Sequence, residues 1–215
     1  MSGDFTGRRR SRRLTSMSAQ NPKGSTYLAW PPFGGTDARV AYATLWFVES
    51  AIAEAELSVG VFEELRTGRA LVTGILSGNP RAPFLAKVRH TLSGRSFLEG
   101  LDRAQQGLRS LVENTRHGTP DARVRMEALA GLYPHLRSMR NTGQHIDERI
   151  RRIGAKGKQM PPGVIVLEAI DGRDFVSCDG EGIARRLPVR AETLGAFVAK
   201  AQAVVDALDG DGAPE

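Results

Sequence analysis

The feature that most constrains the fold of this 215-residue chain is a run of apolar residues at alternating steps of three and four. The run consists of Leu129, Leu132, Leu136, Met139, Gly143, Ile146, Ile150 and Ile153. Two apolar positions in every seven are typical of a helix that packs along its length against a partner. Thr119 offers N-cap chemistry and Pro120 suits the first helical position, so the helix is predicted to begin there.

Two residues inside that run predict local departures from a plain helix. Pro134 removes a backbone hydrogen bond about one turn up, so it predicts a kink or a join between two helices. Gly143 is small and sits in the apolar run itself, which allows another backbone to approach closely. Such an approach would suit either a crossing within a bundle or the axis of a dimer.

Two further helices are predicted upstream. The first spans about 37–65, continues less regularly towards Leu76, and ends at Gly78-Asn79-Pro80. The residues on its mainly apolar stripe are Val40, Thr44, Phe47, Val48, Ala51, Ile52, Ala55, Val59 and Phe62. The second begins near Pro83 and carries apolar residues as far as Val112. Its three glycines predict either close helix packing or a break near the first of them; they are Gly94, Gly100 and Gly107.

The C-terminal part changes character. Residues 164–170, 174–178 and 183–189 are short apolar or β-branched runs separated by Asp-Gly and Gly-rich turns, which predicts an antiparallel meander of two or three strands. Residues 191–208 form an amphipathic pattern that predicts a last helix. The fold class is therefore mainly α: a helical bundle with a small C-terminal antiparallel β-meander and a final helix.

We expect three regions: residues 1–35 as a basic disordered tail with a Pro/Gly loop, 36–158 as the helical bundle, and 159–215 as the meander plus a helix packed on the bundle. Residues 1–24 contain six basic residues and one acid, so +5 of the formal charge of +6 lies there. Residues 25–215 carry the remaining formal charge of +1, which is too small for a basic nucleic-acid-binding surface spread over the whole domain. The tail is either a disordered leader or a non-specific binder of polyanions.

Several classes of protein and of site are disfavoured. No apolar stretch approaches the ~20 residues that span a bilayer, and the single Cys178 cannot form an internal disulfide, so we expect a cytoplasmic protein without a membrane anchor. The histidines upstream of the polar segment have no partner histidine or cysteine at ligand spacing; they are His90, His117 and His135. No metal site and no cofactor are predicted.

Polar chemistry interrupts the long helix pattern at Arg140-Asn141-Thr142-Gly143-Gln144-His145. Arg140 and His145 point about 140° apart on an ideal helix, so one straight helix cannot aim both at one phosphate with short reach. Three solutions remain open: an irregular helix near Gly143, the length of the arginine side chain, or two copies that face each other in a dimer.

An arginine with a polar residue behind it and a histidine five positions on resembles the R-x4-H signature of the HEPN superfamily. That resemblance implies a small helical bundle, and many such proteins are metal-independent ribonucleases that work as dimers. It also implies a toxin or phage-defence setting, as an endoribonuclease or as an RNA-binding protein, in which a protein inhibitor is a possible partner. Arg140, Asn141 and His145 would then be the catalytic residues.

The residue types fit that chemistry. His145 can act as acid or base near neutral pH, and Arg140 can bind phosphate oxygens while it stays charged. Asn141 could orient the imidazole or hold the phosphate. Basic residues that follow could track an RNA backbone; they are Arg149, Arg151, Arg152, Lys156 and Lys158.

The alternative is a non-catalytic helical module that binds a protein partner, with dimer formation as one form of it. In that interpretation Arg140 pairs with Asp147 or Glu148 in ordinary exposed ion pairs, which contribute little. Basic residues near the end of a helix are also favoured by the helix dipole alone.

Overall fold

The computed structural model of the chain describes residues 27–68, 78–144, 168–178 and 183–210, with only the backbone of residues 142–144. Within these ranges the protein is mainly helical, with a small three-stranded antiparallel sheet and a final helix, as the sequence predicts. The helices are α1 (Ala38–Arg66), α2 (Ala82–Asn114), α3 (Pro120–Leu132), α4 (Leu136–Gln144) and α5 (Ala191–Asp206). The strands are β1 (Ala169–Asp171), β2 (Asp174–Cys178) and β3 (Ala184–Pro188).

Helices α1 and α2 form an antiparallel pair that supplies much of the core. A Cβ added at Gly107 would lie 2.7 Å from Val48 Cγ2, and one added at Gly100 would lie 2.8 Å from the Ala51 carbonyl oxygen. The two glycines therefore let the helix backbones approach closely, as predicted. The predicted alternative, a break near Gly94, is wrong, because α2 is continuous from Ala82 to Asn114.

The buried face of α1 differs from the predicted stripe at its edge. Val40 is 55% exposed and Phe47 is 46% exposed, whereas Val48 and Ile52 are fully buried. Both exposed residues line a hollow between α1 and α2, so the stripe predicted from sequence is wider than the surface that α2 covers. A pattern with steps of three and four marks the apolar face of a helix but does not fix the width of its partner.

The predicted long helix is two helices. Thr119 Oγ1 accepts a hydrogen bond from the Ala122 backbone N–H at 3.0 Å, which confirms the N-cap. Helix α3 ends at Leu132 and α4 begins at Leu136, so Pro134 marks a join. The part of the apolar run beyond residue 144 lies outside the described residues.

Helix α5 packs antiparallel to α3. The Thr119 hydroxyl at the start of α3 donates to the Ala207 carbonyl just after α5, at 2.7 Å. At the other end the Tyr133 hydroxyl donates to the Thr193 carbonyl at 3.3 Å. These two bonds fix both ends of the helix pair.

The sheet has the order β1-β2-β3 with antiparallel pairing throughout. Gly172, with a φ of 62°, forms the turn between β1 and β2. Phe175 and Leu187 are register partners, and both are buried. A Cβ added at Gly94 of α2 would lie 2.7 Å from Phe175 Cδ2, so the sheet covers this end of α2.

Candidate functional site

Arg140 lies on α4 and directs its guanidinium towards α2. Its Nη1 donates to Asp102 Oδ2 at 2.7 Å. Its Nη2 and Nε donate to Asn141 Oδ1 at 2.9 and 3.3 Å. On its other side α4 contacts the sheet, where the Ser177 hydroxyl lies 3.5 Å from the Met139 carbonyl oxygen. Helix α4 is therefore held between α2 and β2, and the guanidinium is fixed by two partners.

Asp102 is a buried carboxylate in the middle of α2, and its side chain is 1% exposed. A carboxylate in such a place is costly unless it is paired and hydrogen-bonded. Its Oδ2 is paired with Arg140, whereas its Oδ1 has no hydrogen-bond partner among the described residues. The ion pair with Arg140 is the interaction that compensates this burial.

Arg140 keeps hydrogen-bonding capacity beyond these contacts. A guanidinium has five N–H donors, and within the part of the chain that the structure describes the three hydrogen bonds to Asp102 and Asn141 leave two. Those two belong to the terminal nitrogens, and the side chain is 24% exposed. An anion at the surface could therefore accept from a guanidinium whose position is already fixed.

Asn141 contacts the arginine beside it. Its Oδ1 accepts from Arg140, so the side-chain oxygen is occupied. No described residue accepts from its Nδ2, which leaves an amide N–H group for a further acceptor. In this arrangement Asn141 orients Arg140, a role that the sequence did not suggest.

The other predicted site residues lie outside the described residues. They are His145, Arg149, Arg151, Arg152, Lys156 and Lys158. The convergence of Arg140 and His145 on one phosphate thus stays a prediction. What the described residues bring together is Arg140, Asn141 and Asp102.

Sequence reasoning missed Asp102. A signal existed, because Asp102 lies four residues after the buried Leu98, on the same side of a helix whose neighbouring residues are apolar. An acid on an apolar helix face must find a cation or a donor inside the protein. The sequence did not reveal that this cation is Arg140, 38 residues further along the chain.

Two of the upstream histidines, His117 and His90, pack against aromatic side chains. His117 is fully buried, with Nδ1 2.7 Å from the Asp209 carbonyl oxygen and its ring against Phe33. His90 lies against Phe62, and burial lowers its pKa, as does the Arg66 guanidinium, while Glu63 opposes the shift. Within the described ranges, no three His, Cys, Asp or Glu side chains gather as metal ligands would.

No helix in the described ranges has the length and apolar character needed to cross a membrane. Comparison with known proteins gave no match of this chain to a protein-family model, a curated protein or a solved structure.

Proposed function

We propose that this protein is a HEPN-like, metal-independent endoribonuclease of the toxin or defence type. The observation that carries the proposal is the fixed guanidinium of Arg140. It is held by a buried carboxylate and a neighbouring amide, and the described residues leave two of its N–H donors unused at the first position of the R-x4-H segment. A phosphate-binding group needs both properties, a set position and free donors.

The chemistry asks for three functions. A base removes the proton of the 2′-hydroxyl, an acid protonates the leaving 5′-oxygen, and positive charge stabilises the phosphorane. His145 takes the acid or base role, and Arg140 supplies the charge. Asp102 does not reach the substrate in this proposal; it is a positioning residue that acts through Arg140.

In a homodimer, Arg140 and His145 can act on the same phosphate although they point about 140° apart on one ideal helix. If two copies meet along the apolar run that contains Gly143, Arg140 of one copy and His145 of the other can face one phosphate. This arrangement predicts complementation: Arg140→Ala and His145→Ala variants, each inactive, recover activity when they are mixed and allowed to exchange subunits. Mixed samples without activity would exclude a site shared between copies.

The test of the main proposal is cleavage of single-stranded RNA in the presence of EDTA. We expect the wild-type protein to cleave, and His145→Ala to lower the rate by at least about 100-fold, the usual contribution of a general acid or base. His135→Ala is the matched control, because His135 precedes α4 and has no place in the site. Wild-type protein that leaves RNA intact, or a His145→Ala variant as active as wild type, would overturn the proposal.

A second candidate is the non-catalytic interaction module. It is favoured by exposed apolar side chains on α1 and α2: Phe47 is 46% exposed, Leu57 is 72% exposed and Leu92 is 53% exposed. A hollow of about 600 Å³ between the two helices includes Phe47 in its lining. If the protein has this function, Arg140→Ala lowers its stability because the buried Asp102 loses its cation. The wild-type protein then has no ribonuclease activity.

A further inference from the structure

A second hollow, which is polar, lies between α2, α3 and α4, with a volume of about 390 Å³. Helix α2 contributes Gln105, Gln106 and Arg109 to its lining, α3 contributes Glu127, and α4 contributes Arg137. Amide and guanidinium groups thus dominate its polar surface, and Glu127 is the acid in the lining.

The hollow and the Arg140–Asp102 pair lie between the same two helices, α2 and α4. On α2, Asp102, Gln106 and Arg109 follow one another at steps of four and three, so they share one helix face. On α4, Arg137 precedes Arg140 by three residues, about one turn or 5 Å along the axis. Arg137, in the lining, therefore lies about one helical turn from Arg140 along α4.

The two arginines of the hollow lack the partners that Arg140 has. In the ranges that the structure describes, neither Arg109 nor Arg137 makes an ion pair with a carboxylate or a side-chain hydrogen bond. The Nε of Arg109 is also shielded from solvent and has no hydrogen-bond acceptor among the described residues. A shielded guanidinium N–H without an acceptor is unfavourable, and a turn of the Arg109 side chain towards a bound anion would supply the acceptor.

We infer that this hollow binds a phosphate group of the RNA strand next to the one held by Arg140. The inference rests on the proposed function, because RNA bound at Arg140 is what brings further phosphates to the hollow. Arg109 and Arg137 contact the phosphate oxygens, and the two glutamines face the ribose or a base edge. Glu127 weakens the site by repulsion.

A strand of regularly spaced anions fits these observations better than an isolated anion, since Arg140 and Arg137 of the hollow follow one another about one turn apart on α4. An acidic peptide would place carboxylates there with less regular spacing. Both alternatives become outcomes of the test.

The experiment measures binding without cleavage. A fluorescent single-stranded oligoribonucleotide with 2′-O-methyl groups is titrated with protein, and fluorescence anisotropy is recorded at several salt concentrations. For Arg109→Gln/Arg137→Gln we expect an affinity loss of roughly tenfold or more and a salt slope smaller by about 1.4, two contacts at about 0.7 each. The matched control, Arg39→Gln/Arg89→Gln, removes two exposed arginines from the α1–α2 side and should change the affinity by less than about twofold.

Glu127→Gln provides a test of opposite sign. Removal of a negative charge from the lining should tighten RNA binding, which a residue with a purely structural role would not do. If the double arginine variant melts much lower than wild type, Arg137→Gln alone and Glu127→Gln answer the question, because both residues are exposed.

The outcomes distinguish the proposal that the hollow binds RNA from the proposal that the protein cleaves RNA. The proposal for the hollow is overturned if wild type and the double arginine variant bind RNA equally well, or if the control loses as much affinity. This holds even if His145-dependent cleavage is found. If the expected binding pattern is found without any RNA cleavage, RNA binding at the hollow is retained and the nuclease proposal is overturned. Inorganic phosphate that binds as tightly as the oligonucleotide, or polyglutamate that displaces it at equal charge concentration, also overturns the assignment to an RNA strand.

Discussion

Arg140 Nη1 lies 2.7 Å from Asp102 Oδ2, and this contact joins a guanidinium at the surface to a carboxylate that is almost completely buried. The two partners differ in access to water, because the Arg140 side chain is 24% exposed and that of Asp102 is 1% exposed. Loss of one partner therefore does not have the same consequence as loss of the other. An arginine left alone can be hydrated, whereas the aspartate cannot.

The first prediction concerns this asymmetry. Arg140→Gln should lower the free energy of unfolding by about 3 kcal/mol, because it leaves a buried charge without its cation. Asp102→Asn should cost less, about 1–2 kcal/mol, because the amide is isosteric and the arginine is partly hydrated. Urea unfolding of the two variants gives both values.

The double variant Asp102→Asn/Arg140→Gln completes the cycle. It should be more stable than the sum of the two single losses implies, with a coupling energy of about 1–3 kcal/mol. Additive losses would show that the two side chains do not stabilise each other, and Asp102 would then lose its role as the positioning residue of Arg140.

The local signals of the sequence predicted most of the fold. Thr119, Pro120 and Pro134 set helix ends through the chemistry of one or two neighbouring residues, and the structure has a cap and a join at these places. The meander followed from short β-branched runs between turn residues, and the strands at 174–178 and 184–188 lie there. Such features depend on residues that are close together in the chain, so they can be predicted from the sequence.

Features that depend on a distant partner were not predicted. Val40 and Phe47 belong to an apolar pattern, yet the pattern does not state how far α2 extends over α1. Asp102 and Arg140 are 38 residues apart in the chain, and only the packing of α4 on α2 brings them together. The candidate site was therefore found through its arginine, and its buried acid was missed.

The second prediction concerns the segment before α1. The buried Glu49 accepts from the Leu28 N–H at 2.8 Å and from the Tyr27 N–H and Trp30 Nε1 at 3.3 Å. Glu49→Ala should lower the free energy of unfolding by about 3 kcal/mol, because three hydrogen bonds to one carboxylate are lost and buried donors are left unpaired. Thermal or urea unfolding measures the change.

Glu56→Ala is the matched control for that variant. Glu56 accepts from the Tyr27 hydroxyl but is exposed, so its loss should cost less than about 1 kcal/mol. Similar losses for the two glutamates would contradict the view that burial makes Glu49 the anchor of this segment.

The third prediction concerns pH and Glu168, which precedes β1. Burial raises the pKa of its carboxyl above the usual value; the Arg95 guanidinium at 3.6 Å opposes this shift, and Glu99 adds to it. The folded protein thus binds this proton more tightly than the unfolded chain does, so stability falls as the pH rises through the raised pKa. Glu168→Gln should therefore raise the melting temperature near pH 7 and leave it unchanged near pH 4, within about a degree. A lower melting temperature at both pH values would mean that the ion pair with Arg95 outweighs the burial of the charge.

The fourth prediction compares two helix glycines that have opposite surroundings. A Cβ at Gly100 would lie 2.8 Å from the Ala51 carbonyl oxygen and 3.0 Å from Ala55 Cβ, whereas a Cβ at Gly60 would have no neighbour within 4 Å. Gly100→Ala should lower the free energy of unfolding by about 1–3 kcal/mol, because backbone atoms of α1 would have to move. Gly60→Ala should raise it by about 0.5–1 kcal/mol, since alanine restricts the unfolded chain and favours the helix. Urea unfolding of both variants measures the two signs together, and a gain at Gly100 would contradict the close approach of α1 and α2 at this position.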